Sequence, residues 1–575
     1  MPAAMRPDED EEGAGRAGPE GRAASVIGVL GAGTMGAGIA QLACRSGART
    51  LLFDPIAPAL EAGVEKARAG LRREVERKRL SRADAGAAAE RLQATADLAD
   101  LAPCELVIEA APERLELKHE LLRALSGIVS ERCVLATNTS SLLVTAIAAA
   151  VDAPERVVGM HFFNPAPVMR LLEVVAGERS GEEALALAHA TGEAMGKTVI
   201  RATDGPGFLV NRCNRPFGLE ALRLLSERLA DVRTIDRIVR MEGGYRMGPF
   251  ELMDLVGIDT GFEVSKSFYE QSFGEPRWRP SPITARYAAA GMHGRKSGRG
   301  YYSYEDDAGR PRAAAAPAHR SDDPPPLPAT APARGEGAIV LAGASALARE
   351  LRVEAAAAGY EVRSPHDPTG GVLPALIVEC DRLPGGGAGA GEAHEHRVQP
   401  FPQGGAHLIL CAAGSLGALD DSGSAVGFHV LPPLKDAALV ELTRGEDSSP
   451  VAAARAERFF ATLGRHVVWV GDAPGLVLGR IACQVINECA FALGEGVGSA
   501  ADIDAGLVMG LNHPRGPLAW ADEIGLDVVL GLLDALCDEY REERYRPAPA
   551  LRRLVRAGRL GRASGSGFFE YGDGA

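Results

Sequence analysis

Residues 25–47 read SVIGVLGAGTMGAGIAQLACRSG and fall into three parts. SVIGVL is a short apolar run of the kind that fills a strand buried on both faces. GAGTMG interrupts it, and AGIAQLACRSG then returns apolar residues at helical spacing before stopping at Gly47. Strand, tight turn and helix in that order make Gly31, Gly33 and Gly36 a G-x-G-x-x-G turn. Glycines there permit the tight bend and let the backbone approach a pyrophosphate at the helix N-terminus. The next strand, TLLFD, ends at Asp54, 18 residues after Gly36. A carboxylate so placed accepts hydrogen bonds from the adenosine ribose hydroxyls and repels a 2′-phosphate, so the turn reads as a dinucleotide site favouring NAD over NADP. The blander reading is a Gly-rich turn with no ligand.

Outward from this unit, residues 57–93 read as a charged helical pair. CELVIEAAP, CVLATNTS and RVVGMHFFNP are further strand-to-loop transitions. Strands alternating with helices imply a parallel, doubly wound sheet. From about Asp204 the pattern turns to long helices, ending near GRKSGRGYYSYEDD. Residues 306–336 contain DDPPPLPATAPARGE, a Pro-rich linker with little to bury.

The chain also repeats itself. GMHFFNPAPVMRLLEVVAGE, from Gly159, aligns without gaps with GFHVLPPLKDAALVELTRGE, from Gly427, at an offset of 268. The same offset carries Pro206 and Gly207 onto Pro474 and Gly475, Arg212 onto Arg480, and Asp254 onto Asp522. GRKSGRGYYSY and GRASGSGFFEY match at 267. This pattern predicts an internal duplication. VLGAGTMG best matches VLAGASAL, from Val340, at 311, which leaves the second copy 43 residues shorter in its sheet domain. The expected fold is an α/β Rossmann-type NAD-binding domain plus an all-α helical domain, followed by a duplicated copy with a reduced, degenerate Rossmann-like domain and a second helical domain. The expected boundaries are a disordered tail at 1–23, domains at 24–203 and 204–305, the linker at 306–336, and domains at 337–471 and 472–575.

TNTSSL (137–142), HFFNP (161–165), LLEVV around Glu173 and PGFLVNR (206–212) follow in order. Together they resemble the L-3-hydroxyacyl-CoA dehydrogenases of fatty-acyl β-oxidation over about residues 24–305. Removing a hydroxyl proton as the adjacent carbon loses hydride needs a general base, and His is suited to that near neutral pH. The resemblance implies His161 as that base, with Glu173 pairing its other ring nitrogen. It further implies Ser140 and Asn211 as substrate-positioning groups, Asn164 beside the nicotinamide, and Glu113, Lys118 and Lys296 as cofactor contacts. An ST-turn for Ser140, a helix cap for Asn211 and solvated charges for the lysines are the structural alternatives. Lys66, Arg68, Arg72, Arg73, Arg77, Lys78 and Arg79 cluster where the family has a helical extension that contacts coenzyme A, although Glu65, Glu74 and Glu76 interleave with them.

In the second copy the three fingerprint glycines align with Ala342, Ala344 and Leu347. Ser140 aligns with Gly414, Asn164 with Pro432, Asn211 with Gly479 and Lys296 with Ala563, while His429 and Glu441 keep the twelve-residue spacing. One NAD per chain is expected. The whole arrangement resembles a long bacterial subgroup of 3-hydroxybutyryl-CoA dehydrogenases that includes the 3-hydroxyadipyl-CoA dehydrogenases of phenylacetate degradation. In shorter relatives the helical domain makes the dimer contact, so the two helical regions are expected to pack as an internal pseudo-dimer. Homo-oligomers stay open. Two other functions compete: a β-hydroxyacid dehydrogenase using a helical lysine, and a noncatalytic NAD- or acyl-CoA-binding protein.

Composition sets the outer limits. The 575 residues are 46% hydrophobic and 24% charged, which fits several globular domains and excludes a fibrous or wholly disordered chain. A net charge of −14 speaks against nucleic acid as a partner and leaves room for a local basic patch that takes a small phosphorylated ligand; the family resemblance implies that this small molecule is an acyl-CoA. Nine scattered cysteines without a CxxC pair suggest neither a disulfide framework nor a metal site, and point to a reducing cytoplasm. The N-terminus is acidic rather than signal-like, and the longest uncharged stretch, Val398–Leu419, is broken by prolines and glycines, so no membrane span is expected.

Overall fold

The computed structural model describes residues 21–304, 323–324, 335–367, 373–382 and 405–572. The tail expected over 1–23 and the linker expected over 306–336 lie almost wholly outside the described residues. The chain forms two units, residues 1–200 and 201–575.

The first sheet is built from β1 (Val26–Leu30), β2 (Arg49–Phe53), β3 (Leu92–Thr95), β4 (Leu106–Glu109), β5 (Val134–Thr137), β6 (Val157–Phe162), β7 (Leu171–Ala176) and β8 (Thr198–Thr203). Its helices are α1 (Thr34–Arg45), α2 (Ala57–Glu76), α3 (Arg82–Arg91), α4 (Leu115–Ser126), α5 (Val144–Ala148) and α6 (Glu182–Ala194). The strand order is β3-β2-β1-β4-β5-β6-β7-β8. β1 pairs in parallel with both β2 and β4, so the order reverses at β1, where a doubly wound sheet opens its ligand crevice. β4 and β5 are buried along their whole length, which explains the apolar runs LVI and VLA that precede Glu109 and Thr137. The β6–β7 pair is antiparallel, and its register sets His161 directly opposite Glu173.

The second unit begins with α7 (Val210–Cys213), α8 (Arg215–Ser226), α9 (Val232–Met241), α10 (Pro249–Val256), α11 (Ile258–Gln271) and α12 (Pro282–Ala289). A second sheet follows, from β9 (Ala338–Ala342), β10 (Glu361–Arg363), β11 (Leu376–Glu379), β12 (His407–Leu410), β13 (Val426–His429), β14 (Leu439–Arg444) and β15 (His466–Trp469), with α13 (Ala346–Ala357), α14 (Leu416–Leu419) and α15 (Pro450–Thr462). It ends with α16 (Leu478–Gly494), α17 (Ala500–Leu511), α18 (Pro517–Ile524), α19 (Leu526–Tyr540) and α20 (Pro549–Arg556). The second sheet runs β10-β9-β11-β12-β13-β14-β15, one outer strand short of the first.

The two helical regions are held by the same devices. Asp236 on α9 accepts the Phe250 and Glu251 N–H groups that open α10, and Asp504 on α17 does the same for Leu518 and Ala519 on α18. Gly248 and Gly516 precede these helices, and a Cβ at either would lie 2.3 Å from the aspartate. Asp254 takes the Tyr301 and Tyr302 N–H groups, as Asp522 takes those of Phe568 and Phe569.

Helices α7 and α8 both pack on α16, and the ion pairs across these contacts are reciprocal. Arg212 reaches Glu488 at 2.9 Å and Glu495 at 2.7 Å. Arg480, 268 residues on, reaches Glu220 at 2.9 Å through Nε and Glu227 at 2.7 Å. Tyr245 and His513, also 268 apart, meet each other with ring centroids at 5.1 Å.

His513 is buried and Nε2 lies 2.9 Å from the Asn214 amide oxygen, which makes Nε2–H the donor. Burial pushes its pKa from 6.5 down to about 4. The unfolded chain therefore binds this proton first as pH falls, and stability drops between pH 6.5 and about 4. About 2 kcal/mol of urea-unfolding stability is expected to be lost through this group at pH 5 relative to pH 7.5. His513→Gln should flatten that part of the profile; parallel profiles for the two proteins would refute it.

Candidate active site

The Gly-rich turn has the form its sequence requires. Gly31 sits at φ +100°, and a Cβ there would lie 2.9 Å from the Ala110 carbonyl. A Cβ on Gly36 would lie 1.7 Å from the Gly31 carbonyl oxygen, so no side chain fits between helix and turn. Gly33 differs: it is exposed, its φ is −65°, and nothing lies within 4 Å of an added Cβ. Fold alone does not demand glycine at 33, whereas close approach of a ligand does. Gly33 also caps α1 with no side-chain hydrogen bond, leaving the helix N–H groups to an incoming anion. Asp54 stands at the β2 end of the same crevice, taking the Ala32 N–H at 2.9 Å on one oxygen and the Ile56 N–H at 2.9 Å on the other. Each oxygen keeps a second lone pair side for a ribose hydroxyl. These residues fit a dinucleotide.

The second sheet reveals a correction at the matching turn. Leu30 pairs with Glu109, and Ala342 pairs with Glu379, so the true offset there is 312 rather than 311. The fingerprint positions fall on Gly343, Ser345 and Ala348, not on Ala342, Ala344 and Leu347. Gly343 keeps a positive φ of 121°. Ser345, however, caps α13 with its own hydroxyl, and the Asp381 carboxylate takes the Ala344 N–H at 2.6 Å. The helix end is filled by the Ser345 hydroxyl, whereas the Asp381 contact with Ala344 matches that of Asp54 with Ala32 and does not distinguish the two turns. Likewise, Thr137 and Ile409 face equivalent glycines, Gly159 and Gly427, which puts Ala412 and not Gly414 three residues on, at the place of Ser140.

His161 and Glu173 form a buried pair. His161 Nδ1 lies 2.6 Å from a Glu173 carboxylate oxygen, Glu173 is fully enclosed, and the Phe163 ring packs 4.7 Å from the imidazole. With Nδ1–H donating to the carboxylate, Nε2 carries the lone pair. Ser140 and Asn164 are both exposed, at the ends of β5 and β6. Asn138, which sequence reading passed over inside TNTSS, accepts the Phe162 N–H at 2.8 Å and so ties these two strand ends together.

Glu113 gathers the Ser140 loop. It accepts hydrogen bonds from the Thr139 and Ser141 hydroxyls and from the Ser140 and Ser141 N–H groups. Partial burial works against its charge, but these donors and the Lys118 ammonium hold its carboxyl below the usual range. Lys118 reads from sequence as a cofactor contact or a solvated charge; the structure encloses it completely. Its ammonium sits 2.8 Å from both Glu109 oxygens and 3.4 Å from Glu113, beneath the loop rather than on an open surface. The basic residues of α2 and the segment after it are exposed, with Arg72 paired to Glu65 and Arg79 to Glu74.

Asn211 and Lys296 belong to the second unit. Asn211 lies on α7, half-buried, and Lys296 is exposed and ion-paired with Asp259 at 2.6 Å.

Residues 26–205 match the family model of the 3-hydroxyacyl-CoA dehydrogenase NAD binding domain. Residues 207–304 and again 475–571 match the model of the 3-hydroxyacyl-CoA dehydrogenase C-terminal domain. The 3-hydroxyadipyl-CoA dehydrogenase of Escherichia coli K12 is 33% identical over 532 residues, 92% of this chain and 96% of that protein. A probable 3-hydroxybutyryl-CoA dehydrogenase of Bacillus subtilis is 37% identical over 278 residues, 48% of this chain and 96% of its own length. The crystal structure of 3-hydroxybutyryl-CoA dehydrogenase from E. coli K12 superposes with a TM-score of 0.70 at 32% identity, covering 93% of this chain and 99% of that one. The chain belongs to the 3-hydroxyacyl-CoA dehydrogenase family and is an NAD-dependent oxidoreductase of that reaction class.

Proposed function

We propose that this protein oxidises (S)-3-hydroxyacyl-CoA of the 3-hydroxybutyryl or 3-hydroxyadipyl type to the 3-oxoacyl-CoA, with His161 as general base. The observation that carries the reading is the buried His161–Glu173 contact at 2.6 Å beside an uncapped glycine turn. His161 Nε2 takes the proton of the C3 hydroxyl as the C–O bond becomes a carbonyl, and Glu173 stabilises the imidazolium so formed. NAD, when bound, supplies the acceptor for the hydride leaving C3. Gly31, Gly33, Gly36 and Asp54 would hold its adenosine and pyrophosphate, with Glu113, Asn164 and Lys296 as further contacts and Lys118 supporting Glu113 from below. Ser140 and Asn211 would position the hydroxyl or thioester oxygen. The test is a spectrophotometric NADH assay comparing kcat/KM for (S)-3-hydroxybutyryl-CoA, 3-hydroxyadipyl-CoA and longer acyl-CoAs. Turnover of none of them would overturn the reading.

The second half is an internal duplication that has lost its cofactor cradle. Two matches to one helical family model and the reciprocal Arg212 and Arg480 pairs support it, and support reading the helical regions as a pseudo-dimer within one chain. The boundaries proposed are those at 24–203, 204–305, 337–471 and 472–575. A cytoplasmic location suits nine free cysteines, and no helix among the described residues is long and apolar enough to cross a membrane. The acidic net charge of −14 speaks against nucleic acid as a partner, and the likeness to 3-hydroxyacyl-CoA dehydrogenases supports a small acyl-CoA.

Calorimetry should return one NAD per chain, because only the first turn leaves its helix end open. Gly33→Ala should raise the NAD Kd by about tenfold or more while leaving the thermal midpoint within about 2 °C, since the added methyl meets open space in the protein. An unchanged Kd, or two NAD per chain, would refute this.

A further inference from the structure

The second sheet keeps a histidine and a glutamate where the first has its His–Glu pair, but their surroundings have changed. His429 ends β13 and faces Glu441 across the antiparallel ladder. The Glu441 oxygens now accept the Val477 and Leu478 N–H groups at the start of α16, at 2.8 and 2.9 Å. The counterpart of Asn211 is Gly479, where a Cβ would lie 2.3 Å from the imidazole, so α16 lies directly on the ring.

A third ligand-bearing group has entered. Glu242, at the C-terminal end of α9, brings its carboxyl to the same place, and one donor atom from each of Glu242, His429 and Glu441 lies within 4.8 Å of the others. The three are 5%, 1% and 0% exposed. His429 Nδ1 has no hydrogen-bond partner among the described residues. Neither Glu242 oxygen makes a geometrically complete hydrogen bond, its neighbours being the Leu431 N–H and the Glu441 carboxyl itself. Two buried carboxyls and an imidazole thus converge with no lysine or arginine among the groups acting on them.

We propose that Glu242, His429 and Glu441 bind one divalent cation, zinc by preference, as a structural site of the second α/β domain. One nitrogen and two carboxylate donors suit zinc, whose bonds of about 2.0–2.2 Å require the cluster to draw in by roughly half an ångström. Each Glu441 oxygen has a second lone pair beyond the one its N–H donor occupies. The cation neutralises both carboxylates, gives the imidazole lone pair a partner, and fastens α9 to the β13–β14 pair. Because the site is enclosed, it loads during folding, and ligand-bound and folded states are coupled.

The experiment is metal analysis by plasma mass spectrometry on the tag-free full chain, produced in zinc-supplemented medium and purified without chelator. Wild type should carry about one zinc per chain, and Glu242→Gln and His429→Gln about tenfold less, with NADH-forming activity retained. In a second measurement, wild type refolded with Zn²⁺ should melt about 5 °C or more above wild type refolded with EDTA. Wild type holding less than about 0.1 divalent metal per chain, as when a proton shared between the two carboxyls fills the cluster instead, would overturn the proposal. So would variants that hold as much zinc as wild type, or equal melting temperatures in the second measurement.

Discussion

Replacing His161 with alanine is expected to lower kcat by about 10³- to 10⁴-fold, with the KM for acyl-CoA and the Kd for NAD changed far less. General base catalysis supplies about 10²- to 10⁴-fold, and the upper part of that range applies where the base is held in one tautomer. His161 meets that condition: the enclosed Glu173 carboxylate fixes Nδ1–H at 2.6 Å, so Nε2 is a permanent acceptor. Glu173→Gln separates orientation from charge. The amide oxygen still accepts from Nδ1–H but no longer compensates the imidazolium, so a loss of about ten- to a hundredfold in kcat is expected. Stopped-flow measurement of NADH formation reads both variants. His161→Ala within about tenfold of wild type would remove His161 from the role of base.

The parts of this site legible in the sequence are those set by local pattern. SVIGVL and GAGTMG announce a buried strand and a turn because burial on both faces and a positive φ at Gly31 each leave a mark in residue type. The His161–Glu173 pair was legible as a spacing of twelve because β6 and β7 are adjacent antiparallel strands, whose register turns sequence distance into contact. Lys118 was not legible: a lysine on a charged helix gives no local sign that β4 brings Glu109 over it and closes the site to solvent. The misplacement of the second turn by one residue has a similar cause. VLAGASAL offers Ala, Gly and Ser in an order that similarity alone aligns at 311, and only the ladder between β9 and β11 fixes 312. Glu242 lies far from His429 in sequence, so its arrival beside the second histidine follows from helix packing alone. The repeat, by contrast, carried more than it was asked: Arg212, Glu220 and Glu227 all recur at 268, and their pairing across the two helical regions is what that recurrence encodes.

Arg480→Met is expected to destabilise the full chain by about 3–5 kcal/mol in urea unfolding, more than any change at the reciprocal position. Arg480 is fully buried and binds Glu220, Glu227 and the Tyr540 and Tyr545 hydroxyls, and the carboxylates keep it charged against the pull of burial. Removing it leaves Glu220 enclosed with only the Tyr545 hydroxyl, 3.0 Å away, among the described residues. The mirrored loss is milder. Arg212→Met strips one partner from Glu488, but Arg277 still holds that carboxylate at 2.8 Å, so about 1–3 kcal/mol is expected. The two positions match in the 268-residue sequence repeat, yet Arg277 corresponds to Tyr545, so a second cation stands beside Glu488 and not beside Glu220. The double variant Arg480→Met/Glu220→Leu should recover much of the single loss, because the uncompensated charge goes with its partner. Equal effects for Arg480→Met and Arg212→Met, or a double variant no more stable than Arg480→Met alone, would show that packing rather than buried charge holds the two helical regions together.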